Sequence, residues 1–77
     1  MEENIIKTKL KKLLTLTDCE VQVWHPTQLI SVEIVSEKAI VLPYGAIDFL
    51  VSLHIKEIQY GYEHVGHIHH VTFKVEG

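Results

Sequence analysis

Histidine is the residue type whose number and spacing first suggest chemistry: six in 77 residues, with His64, His67, His69 and His70 inside seven consecutive positions. Residues two apart on an extended strand share a face, so His67 and His69 present two imidazoles on one side while His70 faces the other. If the preceding strand folds back about a turn at 61–66, with Leu53 and Ile55 meeting Val75 and Phe73, then Glu57 falls beside His69. Two neutral imidazoles, one carboxylate and His64 swinging in from the turn would suit zinc or another divalent cation. One strand and one carboxylate fall short of a defined four-ligand set, so surface or structural histidines are the competing and stronger reading. Four neighbouring imidazoles would also gain charge together in mild acid and repel, loosening any interface built on that hairpin.

Other reactive groups are scattered. Gly61, five residues and then His67-Ile68-His69 resembles the opening of the first cupin motif, but the glutamate of that motif would fall at Phe73 or Lys74, so the resemblance implies no cupin site. Cys19 lies between Asp18 and Glu20, an electronegative setting unsuited to a reactive thiolate, and reads as a small core residue. Ser31, Ser36 and Ser52 have no histidine at a spacing that implies a triad. Asp48 with Glu57, and Glu33 with Glu37, are weaker as acid/base pairs than as solubilising charges on strand faces. All four glycines are isolated, so no phosphate-cradling loop exists. These observations lead to the expectation of a protein that is not an enzyme and has no cofactor beyond a possible divalent metal.

Binding is the better-supported expectation. Trp24, Tyr44, Tyr60 and Tyr62 are four of the six aromatic residues, and Trp24 and Tyr60 are expected to project away from the valine and isoleucine face. Aromatics so placed anchor protein interfaces. They also stack single-stranded bases, and Lys7, Lys9, Lys11 and Lys12 could supply the accompanying positive charge, which makes a small-barrel RNA or single-stranded nucleic-acid module the alternative. The charge balance disfavours it. Ten acidic residues against seven lysines, with no arginine, give a net charge of −3, and 100° per residue spreads the four lysines over roughly 200° of a helix.

The elements that must position these residues follow from periodicity. Ile6, Leu10, Leu13 and Leu14 mark one face of an amphipathic helix over about 4–16, with Asn4 as a cap, and Thr15, Thr17 and Asp18 as stop residues. Period-2 alternation then gives strands at about 20–25, 29–35, 48–60 and 67–76, and a continuous apolar stretch gives one at about 39–42; they are separated by His25-Pro26, residues 36–38, Pro43-Tyr44-Gly45 and the turn at 61–66. The second and third strands read as a hairpin. The fourth places Phe49, Val51, Leu53 and Ile55 on one face and slips phase near Lys56-Glu57-Ile58, the mark of a bulge.

One helix followed by five short strands predicts a mainly β, α+β domain, a five-stranded antiparallel small barrel or rolled sheet of Sm-like or SH3-like architecture. The residues of an Sm-type RNA pocket are not visible at Thr27-Gln28-Leu29 or His54-Ile55-Lys56, so the order of elements carries no function with it. Residues 1–77 form a single domain. The lone cysteine excludes a disulfide-framed miniprotein and fits a cytoplasmic protein; the acidic start is wrong for a signal peptide, and no apolar run suits a membrane. So small a domain hides only about 60% of its unfolded surface, yet 47% of the residues are hydrophobic and the mean hydropathy is +0.15. The excess is best covered by another copy. The expectation is a self-associating, non-catalytic protein-binding adaptor or regulatory module, a homo-oligomer with a protein partner.

Overall fold

The computed structural model describes residues 2–15 and 18–77. Helix α1 (Glu3–Leu13) is followed by strands β1 (Glu20–Trp24) and β2 (Ile30–Ser36), helix α2 (Tyr44–Ser52), and strands β3 (Ile55–Glu63) and β4 (Ile68–Val75). The strands form one antiparallel sheet in the order β1-β2-β4-β3. Two hairpins, β1–β2 and β3–β4, are thus joined through their second strands, with Val32 opposite Phe73 and Ile34 opposite Val71.

In α1 the periodic leucines and isoleucine do as their spacing demands: Ile6, Leu10 and Leu14 are buried and Leu13 packs half-buried beside them. Glu3 in the first turn and Lys11 and Lys12 in the last complement the helix dipole. Asn4 lies inside the helix instead of capping it; Glu2 is the N-cap residue and makes no side-chain cap bond. At the other end the Thr15 hydroxyl donates to the carbonyls of Lys11 and Lys12, at 3.1 and 2.7 Å. Leu16 and Thr17, where the expected helix end falls, lie outside the described residues.

The sheet buries one face. Val21, Ile30, Val32, Ile34, Val71, Phe73 and Val75 join Ile6, Leu10 and Leu14 of α1 and Ala46, Phe49 and Leu50 of α2, with Leu53 just beyond it, in a single core. Both helices therefore lie on the same side, and the opposite face carries polar residues such as Gln22, Glu33, Thr72 and Gln59, aligned across the four strands.

The five-stranded barrel is overturned: the sheet is open, has four strands and is accompanied by a second helix. Residues 46–53 are almost continuously apolar, so Phe49 and Leu53 satisfy both a period of 2 and a period of 3.6. The chain takes the second, burying Ala46, Phe49, Leu50 and Leu53 at i, i+3, i+4 and i+7 and turning Val51 outward. Pro43, read as a turn residue, is instead the extended N-cap of this helix. Only the second half of the expected strand at 48–60 is strand, and it continues to Glu63.

The expected strand at 39–42 is absent as well, along with its hairpin to β2. Its burial does alternate, since Ile40 and Leu42 pack against the core and Val41 is exposed, but β2 is already paired on both sides and offers no free edge. The bulge is where the phase slip placed it, between Ile55 and Glu57.

The end of the chain closes the α2–β3 junction. His54 adopts a left-handed conformation (φ 60°) just after Leu53, and the backbone N–H groups of Glu76 and Gly77 donate to the Leu53 carbonyl, each at 3.0 Å. That satisfies a helix-terminal acceptor that would otherwise need water.

A pair of substitutions separates the two readings of residues 44–52. Leu50 is 1% exposed and Val51 60%. Leu50→Ala is expected to lower the unfolding free energy by about 2–5 kcal/mol and Val51→Ala to leave it within about 0.5 kcal/mol, measured by urea denaturation. A strand with Val51 inward would give the reverse order.

Candidate functional site

The bulge at Lys56 decides what β3 shows to each side. Without it, Glu57 and Gln59 would continue the face begun by Ile55; with it, Ile58, Tyr60 and Tyr62 take the helix-bearing face, opposite Phe73, Val71 and His69. Tyr60 therefore does not project away from the apolar face, as alternation alone suggests, but lies on it. Since β3 is an edge strand, these side chains are only partly covered: Ile58 is 58% and Tyr60 60% exposed.

Toward the β3–β4 turn, aliphatic core gives way to rings. The Tyr60 hydroxyl shares a hydrogen bond with His69 Nδ1, and the Tyr62 hydroxyl shares one of 2.9 Å with His67 Nδ1. The Tyr62 ring also lies 4.5 Å from that of His69 and meets His64 edge-on at 5.1 Å. His67 has a positive φ of 53°, held by the turn that brings its ring back to Tyr62. Sequence reasoning identified the members of this cluster but not their pairing, which depends on the bulge and on the turn length.

Glu57 takes no part in it. It stands opposite Lys74 on the polar face and forms an ion pair of 3.1 Å with it, whereas the residue beside His69 is Tyr62. The register thus separates the carboxylate from His64, His67 and His69. Among the described residues no three His, Cys, Asp or Glu side chains are grouped so as to hold a metal ion.

Helix α2, which leads directly into β3, carries exposed apolar residues of its own. Opposite its buried face, Tyr44, Ile47 and Val51 form a second stripe at i, i+3 and i+7, with Tyr44 87% exposed. A helix apolar on two faces is the pattern of an element meant to be covered on both. The six side chains Tyr44, Ile47, Val51, Ile58, Tyr60 and Tyr62 together present on the order of 800 Å², divided between the outer face of α2 and the helix-bearing face of β3.

The remaining residues singled out in the sequence lie elsewhere. Trp24 is on the polar face at the β1 edge, opposite the buried Ser31, and so is not continuous with Tyr44, Tyr60 and Tyr62. Lys7 and Lys11 line a groove between α1 and β1, with Cys19 and Gln22, whereas Lys9 and Lys12 lie on the other flank of the helix. Lys9 places its ammonium 4.8 Å from the centre of the Phe49 ring, a contact between α1 and α2. The three lysines outside α1 each face a carboxylate: Lys38 with Asp18, Lys56 with Glu76 and Lys74 with Glu57. Cys19 is half-buried against the core.

Gly61, expected to open the turn, lies instead within β3. It faces His70 across the strands, and the imidazole fills the space that a Cβ would occupy on the polar side. Only the cross-strand register shows this.

No protein-family model matches the sequence, and no curated protein or solved structure resembles it at a significant level. No helix among the described residues is long and apolar enough to cross a membrane.

Gly61→Ala is expected to cost about 1–3 kcal/mol, because the new methyl must displace the His70 ring. In a His70→Ala background the same change should cost less than about half as much, a coupling measured by a double-mutant cycle of urea midpoints.

Proposed function

We propose that this chain is a small, non-catalytic, cytosolic protein-binding module that works through self-association. The observation that carries the reading is the uncovered apolar surface on the helix side of the molecule, made by α2 and β3. Its composition supports protein as the partner. Three tyrosines supply broad, amphipathic contact area, and aliphatic side chains lie between them. No lysine or arginine belongs to the six residues, whereas a groove for a nucleic-acid backbone requires positive charge. A second copy supplies the most direct cover, since a domain of this size gains more from shared burial than from any core it can build alone.

The cytosolic setting rests on cysteine usage: one free, half-buried thiol and no bridge. The non-catalytic reading rests on the arrangement of polar side chains. The tyrosine–histidine pairs satisfy one another at the sheet edge, Asp18, Glu57 and Glu76 stand in surface ion pairs, and Glu33 lies on the polar face.

The subunit count of the untagged protein at neutral pH tests this. Native mass spectrometry and light scattering between about 1 and 100 μM, a range in which interfaces of this size associate, are expected to show a dimer or a larger closed assembly. Ile47→Glu with Val51→Glu, both exposed, should weaken association at least about tenfold while leaving the circular dichroism spectrum unchanged. A monomer throughout that range would remove the reading.

A further inference from the structure

The sheet has two edges, and they are treated differently. At one, β1 has five residues, is followed by His25-Pro26 and packs against α1. At the other, β3 has nine residues, the longest strand of the sheet. Proteins blunt an open edge with lysine, proline, a bulge or brevity. On β3 these devices are confined to one end: Lys56 is both the lysine and the bulge, and from Ile58 to Tyr62 the strand reads Ile-Gln-Tyr-Gly-Tyr, with no charge, no proline and no irregularity. The outer backbone groups of that stretch form a template for another strand.

We propose that β3 pairs antiparallel with β3 of a second copy, about a two-fold axis at Gln59, so that two four-stranded sheets become one continuous sheet of eight strands (4 + 4). This rests on the self-association reading and assigns the place where the second copy sits.

Three features fit a copy of the chain to this edge. Antiparallel pairing of a strand with itself about a residue keeps faces together, so both sets of helices and both apolar surfaces fall on the same side of the joined sheet. An axis at Gln59 overlaps the whole strand and sets each Ile58 beside the partner's Tyr60, an aliphatic–aromatic cross-strand pair on the exposed apolar face. Charge selects among the registers. An axis at Tyr60 would oppose Glu57 to the partner's Glu63, whereas the axis at Gln59 opposes it to the partner's Gly61 and leaves its pairing with Lys74 intact. The same axis sets the partner's Glu63 opposite Ile55, away from any carboxylate. The junction buries the outer backbone of β3 and the facing flanks of Ile58 and Tyr60, and leaves the Tyr44, Ile47 and Val51 stripes of both copies exposed on the helix-bearing side of the joined sheet.

A single-thiol cross-link reads the register directly. In a Cys19→Ser background, Gln59→Cys places one thiol on the axis, where facing Cα atoms of an antiparallel pair lie about 4.5–5.5 Å apart, within disulfide reach. Gln22→Cys, equally exposed but on the β1 edge, is the control. Mild oxidation is expected to give a covalent dimer for Gln59→Cys and not for Gln22→Cys. Ile58→Lys in the otherwise unchanged chain should raise the dimer dissociation constant at least about tenfold with an unaltered circular dichroism spectrum. A dimer indifferent to Ile58→Lys, with Gln59→Cys cross-linking no better than the control, would overturn the β3 junction and leave self-association standing. A monomeric wild-type chain would overturn both.

Discussion

The antiparallel pairing of β2 with β4 joins two hairpins that are otherwise local in the chain. Neither hairpin could persist alone, since two strands in water bury too little. Joined, they align Ile30, Val32 and Ile34 with Val75, Phe73 and Val71, and this six-residue patch is the floor on which both helices rest. The same pairing closes β2 on both sides, which is why the apolar run at 39–42 finds no ladder to enter and crosses instead as an extended connection toward α2. It also fixes β3 as an edge, because β4 gives its one remaining side to its own hairpin partner.

From that arrangement comes the asymmetry of the surface. Helix α1 covers the β1 side of the sheet, α2 packs beside α1, and Ile58 and Tyr60 of β3 remain more than half exposed. The apolar content that the composition showed to exceed what a small domain hides is therefore not spread evenly. Six of its exposed members lie on α2 and β3, while Ile5, Trp24, Val41 and Val65 stand singly on other elements, and ion pairs and polar rows line the opposite face of the sheet. The imidazoles lie toward the β3–β4 turn, where tyrosine hydroxyls occupy one ring nitrogen on each of His67 and His69.

Much of this was legible from periodicity. The helix face of Ile6, Leu10 and Leu14, the alternation in β1, β2 and β4, and the phase slip at Lys56 each have one reading, and the chain follows it. Residues 46–53 have two. Where nearly every position is apolar, the period is not encoded locally, and the choice falls to whichever conformation covers the sheet; here a helix fills the layer that α1 leaves open. The face of Tyr60 was misjudged for a related reason: the bulge was legible, but its effect propagates to every later residue of β3, and reversing one position reverses all. The tyrosine–histidine contacts and the His70 ring over Gly61 lie a further step away, since they depend on cross-strand register, a relation between segments that no spacing along the chain records.

The strap at the carboxyl end links elements that are far apart in sequence. Amides beyond the last strand of a sheet exchange with solvent quickly unless something holds them. Those of Glu76 and Gly77 are bonded to the carbonyl that ends α2, so they are released only when the helix end and the last strand come apart. Their exchange therefore measures the hold of β4 on the end of α2 without any probe being added.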